Sequence, residues 1–226
     1  MTLQSENILL VATGNRGKAR EFQALLRPLL SEDLLVLTLA DLDPRPPEVE
    51  EDAPTFAGNA LKKARAAARA TGLATLSDDS GLVVDALDGA PGVYSARFAG
   101  LGATDAENNA LLLERLDALG AHSPEARAAH FACALCLVLT ESPLSRILAD
   151  KLQRREPDED GAFLFQGTCP GFIAEEPRGE NGFGYDPLFV EPRSGKTFAE
   201  LSPAEKSATS HRARAVEALR RALEGP

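Results

Sequence analysis

The sequence has no surplus of positive charge: 24 Lys and Arg stand against 34 Asp and Glu, a net charge of −10. A protein that grips duplex nucleic acid needs a basic footprint, so that class is excluded. A small anionic substrate is not excluded, because a few focused cations can overcome a diffuse acidic surface. Cysteine is scarce and odd in number, with Cys133, Cys136 and Cys169, so no disulfide framework is expected. Cys133 and Cys136 form a CxxC inside the apolar run 131–139. A redox CxxC opens a helix and a zinc CxxC needs a second ligand pair. Neither is present, and the thiols read as buried strand residues. No apolar run approaches membrane-spanning length, and no basic segment precedes a long apolar one near the N-terminus. Internal repeats and low-complexity tracts are missing as well. The expectation is a soluble, cytoplasmic protein with neither a membrane nor a nucleic-acid polymer as partner.

What is there suffices for a substantial core. The chain has 226 residues, 44% hydrophobic and 26% charged, enough for one large domain or two lobes sharing a cleft. Residues 7–12 (NILLVA) read as a buried strand that enters the glycine-punctuated turn Thr13-Gly14-Asn15-Arg16-Gly17-Lys18. A helix follows, with Phe22, Leu25, Leu26 and Leu29 at helical spacing and Pro28 near its end. Strand, glycine turn and helix together form the geometry in which backbone N–H groups and a helix N-terminus receive an anion. The turn is too short for a Walker-type loop and has no hydroxyl after Lys18.

Residues 33–38 read as a second strand, and 40–54, with four prolines and a cluster of acids ending in Glu50-Glu51-Asp52, as a loop. Thr55 is the expected N-cap of a helix over 56–70 closed by Thr71-Gly72. Asn59 and Lys63 share one face of it. Thr104-Asp105-Ala106-Glu107 is a capping box opening a helix that stops at Gly120. Residues 129–140 read as a long strand, with 144–149 as a strand able to pair with it. The charge-rich stretch 150–161 reads as an exposed loop, 163–175 as a strand, and 188–190 as another after the loop 178–187. Ser202-Pro203-Ala204-Glu205 is a second capping box, opening a helix or helix pair. Helices and strands alternate early and strands cluster late, which predicts a mixed α/β sheet.

The stretch of greatest chemical interest is Ser77-Asp78-Asp79-Ser80-Gly81. Alone it reads as a polar turn after a strand. Adjacent carboxylates repel unless a cation offsets them, and the chain supplies candidates on both sides of that balance. Glu51, Asp78 and Asp79 could hold Mg²⁺, which takes a few carboxylates and completes its octahedron with water and phosphate oxygens. Lys18, Lys63, Lys206 and Arg212 could receive a triphosphate. Phe183, in a loop with three glycines, could stack on a base.

The segments TGNRGKAREF, EEDAPTFAGNALKKARAA, SDDSGLVVDALDGAPGVYSARF, GFGYDPLF and GKTFAELSPAEKSATSHRARA resemble, in order, the blocks of the inosine triphosphate pyrophosphatase (dITP/XTP pyrophosphatase) family. The resemblance covers nearly the whole chain. It implies an elongated mixed β-sheet flanked by helices, in one domain over 1–226 with two lobes and a central nucleotide cleft. It also implies a homodimeric, Mg²⁺-dependent hydrolase that cuts deaminated purine nucleoside triphosphates (ITP, dITP, XTP) between the α- and β-phosphates. Carried over by position, Glu51 and Asp79 look like metal ligands and Asp78 like the general base, with Glu50 open as an alternative to Glu51 and the two aspartates open to exchange. Thr13, Gly14, Asn15, Lys18, Lys63 and Lys206 would hold the triphosphate. Phe183 would stack on the purine within the Gly184-Tyr185-Asp186 loop. His211 and Arg212 would meet its 6-oxo edge, and Ser80 would also lie on the substrate. The family commonly carries an acid where this chain has Gly58, and 150–161 fits none of its blocks and reads as a local insertion. A Maf-type pyrophosphatase for other modified nucleotides, or a non-enzymatic nucleotide sensor, is the alternative.

Overall fold

The computed structural model describes residues 7–30, 34–153, 155–158 and 161–224. Seven strands form one mixed sheet in the order β2-β1-β3-β4-β5-β6-β7. β1 (Ile8–Val11) lies between β2 (Leu35–Thr38) and β3 (Ala74–Val84) and is parallel to both, with Leu9 opposite Val36 and Ala74. All four β1 residues are buried, as a strand covered on both faces requires. β4 is Ala128–Val138 and β5 is Ala162–Ile173, and the antiparallel strands β6 (Phe189–Glu191) and β7 (Lys196–Thr197) complete the order. Between residues 162 and 170, β5 buries Phe163, Phe165 and Cys169 in alternation with exposed positions, the period of a strand with one covered face. Asp33, expected to start the second strand, lies outside the described residues, as do Arg154, Glu159 and Asp160 of the stretch 150–161.

The chain divides into two compact units. The first comprises Met1–Asp79, Ala134–Gly167 and Ala215–Pro226. Its helix α1 (Arg16–Leu30) buries Phe22 and Leu26, and α2 (Phe56–Thr71) buries Ala60, Ala64, Ala67 and Ala68. These small side chains let α2 pack closely against Ala134, Cys136 and Ala162. Thr55 caps α2 through Gly58 N, and Gly72 closes it at φ +69°, donating to Ala68 O at 2.8 Å.

The second unit comprises Ser80–Cys133 and Thr168–Arg214. Helix α3 (Asp105–Ala118) starts on the predicted capping box, with Glu107 Oε2 accepting from Thr104 N at 2.7 Å. It packs Leu112 and Leu116 into a core of Leu82, Val84, Phe131, Phe189 and Phe198. In that core Phe131 and Phe189 lie 4.6 Å apart, tilted by 57°. Helix α5 (Pro203–Thr209) follows the second capping box, and α6 (His211–Glu224) begins in this unit and runs on into the first from Ala215.

Two expectations are corrected. Residues 144–149 are not a strand: they belong to helix α4 (Pro143–Lys151), capped by Ser142 with Pro143 in the first turn. Leu144 and Leu148 are buried one helical turn apart, and that spacing of four overrides a short apolar run that scanned as extended. The Ser77-Asp78-Asp79-Ser80-Gly81 stretch is not a turn either, since β3 runs unbroken through all five residues.

Candidate active site

In the first unit, β1 leads into a turn that is a helix cap. Asn15 Oδ1 accepts from Gly17 N at 2.8 Å and Lys18 N at 3.1 Å, and Asn15 N donates to Thr13 Oγ1 at 3.2 Å. Capping aims the first turn of α1, and Lys18 Nζ lies 3.0 Å from Asp78 Oδ2. Lys63, projecting from α2, bridges two carboxylates: Glu51 Oε2 at 3.1 Å and Asp79 Oδ1 at 3.3 Å. Neighbouring strand residues point to opposite faces, and the two aspartates accordingly take different lysines.

Asp78 and Asp79 are 1% and 6% exposed, and carboxylates this deep are tolerable only with partners. Burial pushes Asp79 above the usual carboxylate range; Lys63 and Lys18 pull it back, while Glu51 adds to the rise. Burial also works against the Lys63 ammonium, but Asp79, Asp78 and Glu51 outweigh it and raise its pKa. Asn59, which no motif singled out as a ligand, donates from Nδ2 to Asp79 Oδ2 at 3.1 Å, and its Oδ1 accepts from Ala53 N at 2.9 Å. The amide thereby ties the acid-bearing loop to α2. Its only sequence signal was the shared helix face with Lys63.

Glu51, held by Lys63, is the acid brought into this cluster, whereas Glu50 is exposed. Gly58 fits tightly: a Cβ there would lie 2.8 Å from Ala53 Cβ, so the position has no room for an acid without moving the loop. Among the described residues no group of three or more His, Cys, Asp or Glu side chains could hold a metal unaided. The donors that do converge, Glu51 and Asp79 on one ammonium, are hard carboxylate oxygens. They suit a small divalent ion that takes its remaining ligands from phosphate and water.

In the second unit the loop before β6 surrounds Phe183 with cations. Asp186 Oδ2 accepts from Phe183 N at 2.8 Å and pairs with Lys206 Nζ at 2.7 Å. Lys206 Nζ lies 4.8 Å from the Phe183 ring centroid and the Arg212 guanidinium carbon 5.3 Å from it, both within cation–π reach. Arg212 Nη2 donates to Ser80 Oγ at 2.8 Å. Gly182 sits at φ +82°, and a Cβ on it would come 2.0 Å from Asp186 Oδ2, so only glycine permits this turn.

Three predicted substrate residues have core or bracing contacts. Lys206, expected among the triphosphate lysines, is buried against Asp186 and the Phe183 ring. Tyr185 is in the core, with its hydroxyl donating to Ser95 O at 2.9 Å. His211 stacks on Phe131, with centroids 4.7 Å apart and planes 15° from parallel. Arg97 lies over Tyr94, its guanidinium carbon 5.2 Å from that ring's centroid, at a groove of about 490 Å³ that Phe98 and Arg115 also line.

The fold and these two groups define a mixed α/β protein with a buried acid–lysine cluster and a cation-flanked aromatic loop. The Ham1 family profile matches residues 9–222, and the chain belongs to that family. The dITP/XTP pyrophosphatase of Geobacter sulfurreducens is 47% identical over 214 residues, 94% of each chain. That of Thermus thermophilus is 47% identical over 219 residues, 96% of this chain and 93% of the other. Among solved structures, a HAM1 protein from Coxiella burnetii superposes with a TM-score of 0.77 at 40% identity, covering 96% of this chain and 98% of that one. The Staphylococcus aureus Ham1 protein does so with a TM-score of 0.74 at 36% identity, covering 97% and 99%.

Proposed function

We propose that this protein is a nucleoside-triphosphate pyrophosphatase that hydrolyses the α–β phosphate bond of ITP, dITP and XTP, releasing pyrophosphate and the monophosphate. In this way it removes deaminated purines from the nucleotide pool. Membership of the Ham1 family displaces the Maf-type reading. The observation that carries the proposal is the pair of buried aspartates on one strand, each held by its own lysine. A protein that only sensed nucleotides would have no use for two buried acids so arranged.

The division between the acids follows their partners. Asp79 shares Lys63 with Glu51, so these two carboxylates are the ones to hold Mg²⁺, which would neutralise charge developing on the phosphate oxygens. Asp78, bridged by Lys18 instead, accepts the proton of the attacking water through a carboxylate oxygen. Lys18 and Lys63 stabilise the growing negative charge of the leaving pyrophosphate, and positioning with electrostatics supplies most of the catalysis. The backbone of the Thr13-Gly14-Asn15 turn adds N–H donors at the start of α1.

Phe183 stacks on the purine, with Lys206, Asp186 and Tyr185 bracing its loop. Arg212, with His211 beside it on α6, meets the 6-oxo edge. A donor that pairs with a 6-oxo group is left unpaired against the 6-amino group of adenine, a penalty of about 1–3 kcal/mol per buried bond. Guanine keeps the 6-oxo group, so its exclusion falls to the 2-amino region. The enzyme is proposed to act as a cytoplasmic homodimer.

Pyrophosphate release from ITP, dITP, XTP, ATP and GTP, with and without Mg²⁺, tests this reading. Fast Mg²⁺-dependent release is expected from the first three and slow turnover from the others. Equal rates on all five would end the specificity claim, and orthophosphate as product would overturn the cleavage position.

A further inference from the structure

Resting on that reading of Phe183, we propose that Asp105 and Asn109 of α3 are positioning residues for base recognition: together they hold both backbone polar groups of Gly184 and so fix the Phe183 ring. Gly184 N donates to Asp105 Oδ2 at 2.7 Å, and Asn109 Nδ2 donates to Gly184 O at 3.0 Å. The partners are 79 and 75 residues apart in sequence, so these are tertiary tethers and no part of a local turn. Residues 105 and 109 are one helical turn apart on one face of α3, matched to the two ends of a single glycine residue.

The clamp is built to be stiff. Asp105 occupies the first turn of α3, where a carboxylate is favoured by the helix dipole, and the Thr104–Glu107 capping box fixes that turn. A carboxylate accepting from a backbone N–H makes one of the stronger hydrogen bonds. Asn109 is 8% exposed, and its contact to a carbonyl requires the NH₂ end to face Gly184. The preceding residue does the same for another loop: Asn108 Oδ1 accepts from Ala99 N at 2.8 Å and its Nδ2 donates to Ala96 O at 3.3 Å. Gly184 itself sits at φ +62° in a loop without a strand partner, so its backbone groups must be satisfied by side chains or water.

Phe183 is thus pinned on both sides. Its own N–H is held by Asp186 and the next residue by α3. The ring faces Lys206 and Arg212 through these restraints, and loosening one side frees it to swing away from the base. Asp105 and Asn109 act through the Gly184 backbone, so their loss should be felt in binding of the base and not in the phosphate chemistry.

The test is steady-state kinetics with ITP on Asp105→Ala, Asn109→Ala and the conservative Asp105→Asn, with inhibition by inorganic pyrophosphate measured in parallel. The two alanine variants should raise KM by up to about tenfold each, the loss of one tethering hydrogen bond. Their kcat should stay within about twofold, and pyrophosphate, which carries no base, should inhibit them as it does the wild type. Asp105→Asn keeps an oxygen acceptor for Gly184 N and should restore most of the affinity. A variant that merely lost folded protein would lower apparent kcat at constant KM, and that result would overturn the proposal, as would an Asp105→Asn enzyme as weak as Asp105→Ala. Amide exchange of the peptide spanning 181–187, read by mass spectrometry, gives an answer independent of activity. It should quicken in Asp105→Ala while peptides of the Phe131 core hold, and unchanged exchange would refute the clamp. A wild type that released no pyrophosphate from ITP would sink the functional reading alone.

Discussion

Asp78 and Asp79 occupy adjacent positions and meet different partners, and that difference makes their roles separable. Asp78→Asn removes a proton acceptor while leaving Lys18 in place. Turnover should fall by at least about 10²-fold, with ITP affinity by calorimetry little changed; near-normal turnover would refute the base assignment. Lys63→Gln has the opposite signature, because it leaves Glu51 and Asp79 facing each other without their shared cation. Breaking such a partly buried pair should cost about 2–3 kcal/mol of stability. Added Mg²⁺ should recover part of the lost melting temperature, since it supplies a cation to the same two carboxylates. The thiols are inert for a related reason. Burial pushes Cys136 up to about 12 and Cys169 up to about 11, so both remain protonated at pH 8 and are weak nucleophiles. A thiol-reactive disulfide dye should titrate none of the three buried cysteines in the native protein and all of them in guanidinium.

At the scale of the element, caps and loops decide where the acids lie. Thr55 holds Gly58 N, and Gly58 leaves room for Ala53, whose N–H is bound by Asn59. Gly58→Ala therefore trades a helix-propensity gain of about 1 kcal/mol for a clash with the segment that carries Glu51. The Mg²⁺ concentration for half-maximal activity should rise even if the melting temperature does not fall. In α6, hydrogen bonds from Arg220 and Arg221 hold Glu217 down to about 2. A carboxylate depressed in the folded state adds stability above its unfolded value near 4.5, and that contribution disappears as pH falls through about 2. The pair is exposed, so the effect is small and salt-screened. Glu217→Gln should flatten the acid limb of the melting curve at low ionic strength.

Helix starts were legible because Thr55, Thr104 and Ser202 signal locally. Helix α4 is less legible, because the apolar residues of 144–149 fit a short strand as well as a helix, and only the Ser142-Pro143 start distinguishes the two. The glycine loop, the lysines and the acids were legible as types, but their pairing was not. Nothing in a sequence says that Lys18 goes to Asp78 and Lys63 to Asp79, nor that Asp105 reaches a glycine 79 residues away.

Over the whole molecule, a net charge of −10 coexists with a few cations set on particular groups, Lys18 and Lys63 at the buried aspartates and Lys206 and Arg212 at the Phe183 ring. β3 contributes Asp79 to one compact unit and Ser80 to the other. A strand alternates faces with every residue, so inserting or deleting one residue upstream within β3 would turn each side chain over. An insertion would bring Asp78 to the position facing Lys63 and Glu51, and a deletion would bring Asp79 to the position facing Lys18, while the other acid would move along the strand away from both lysines. The division of labour between the two acids is therefore a matter of register: loops can gain or lose residues one at a time, but β3 ahead of Asp78 cannot change length without taking an acid from its lysine.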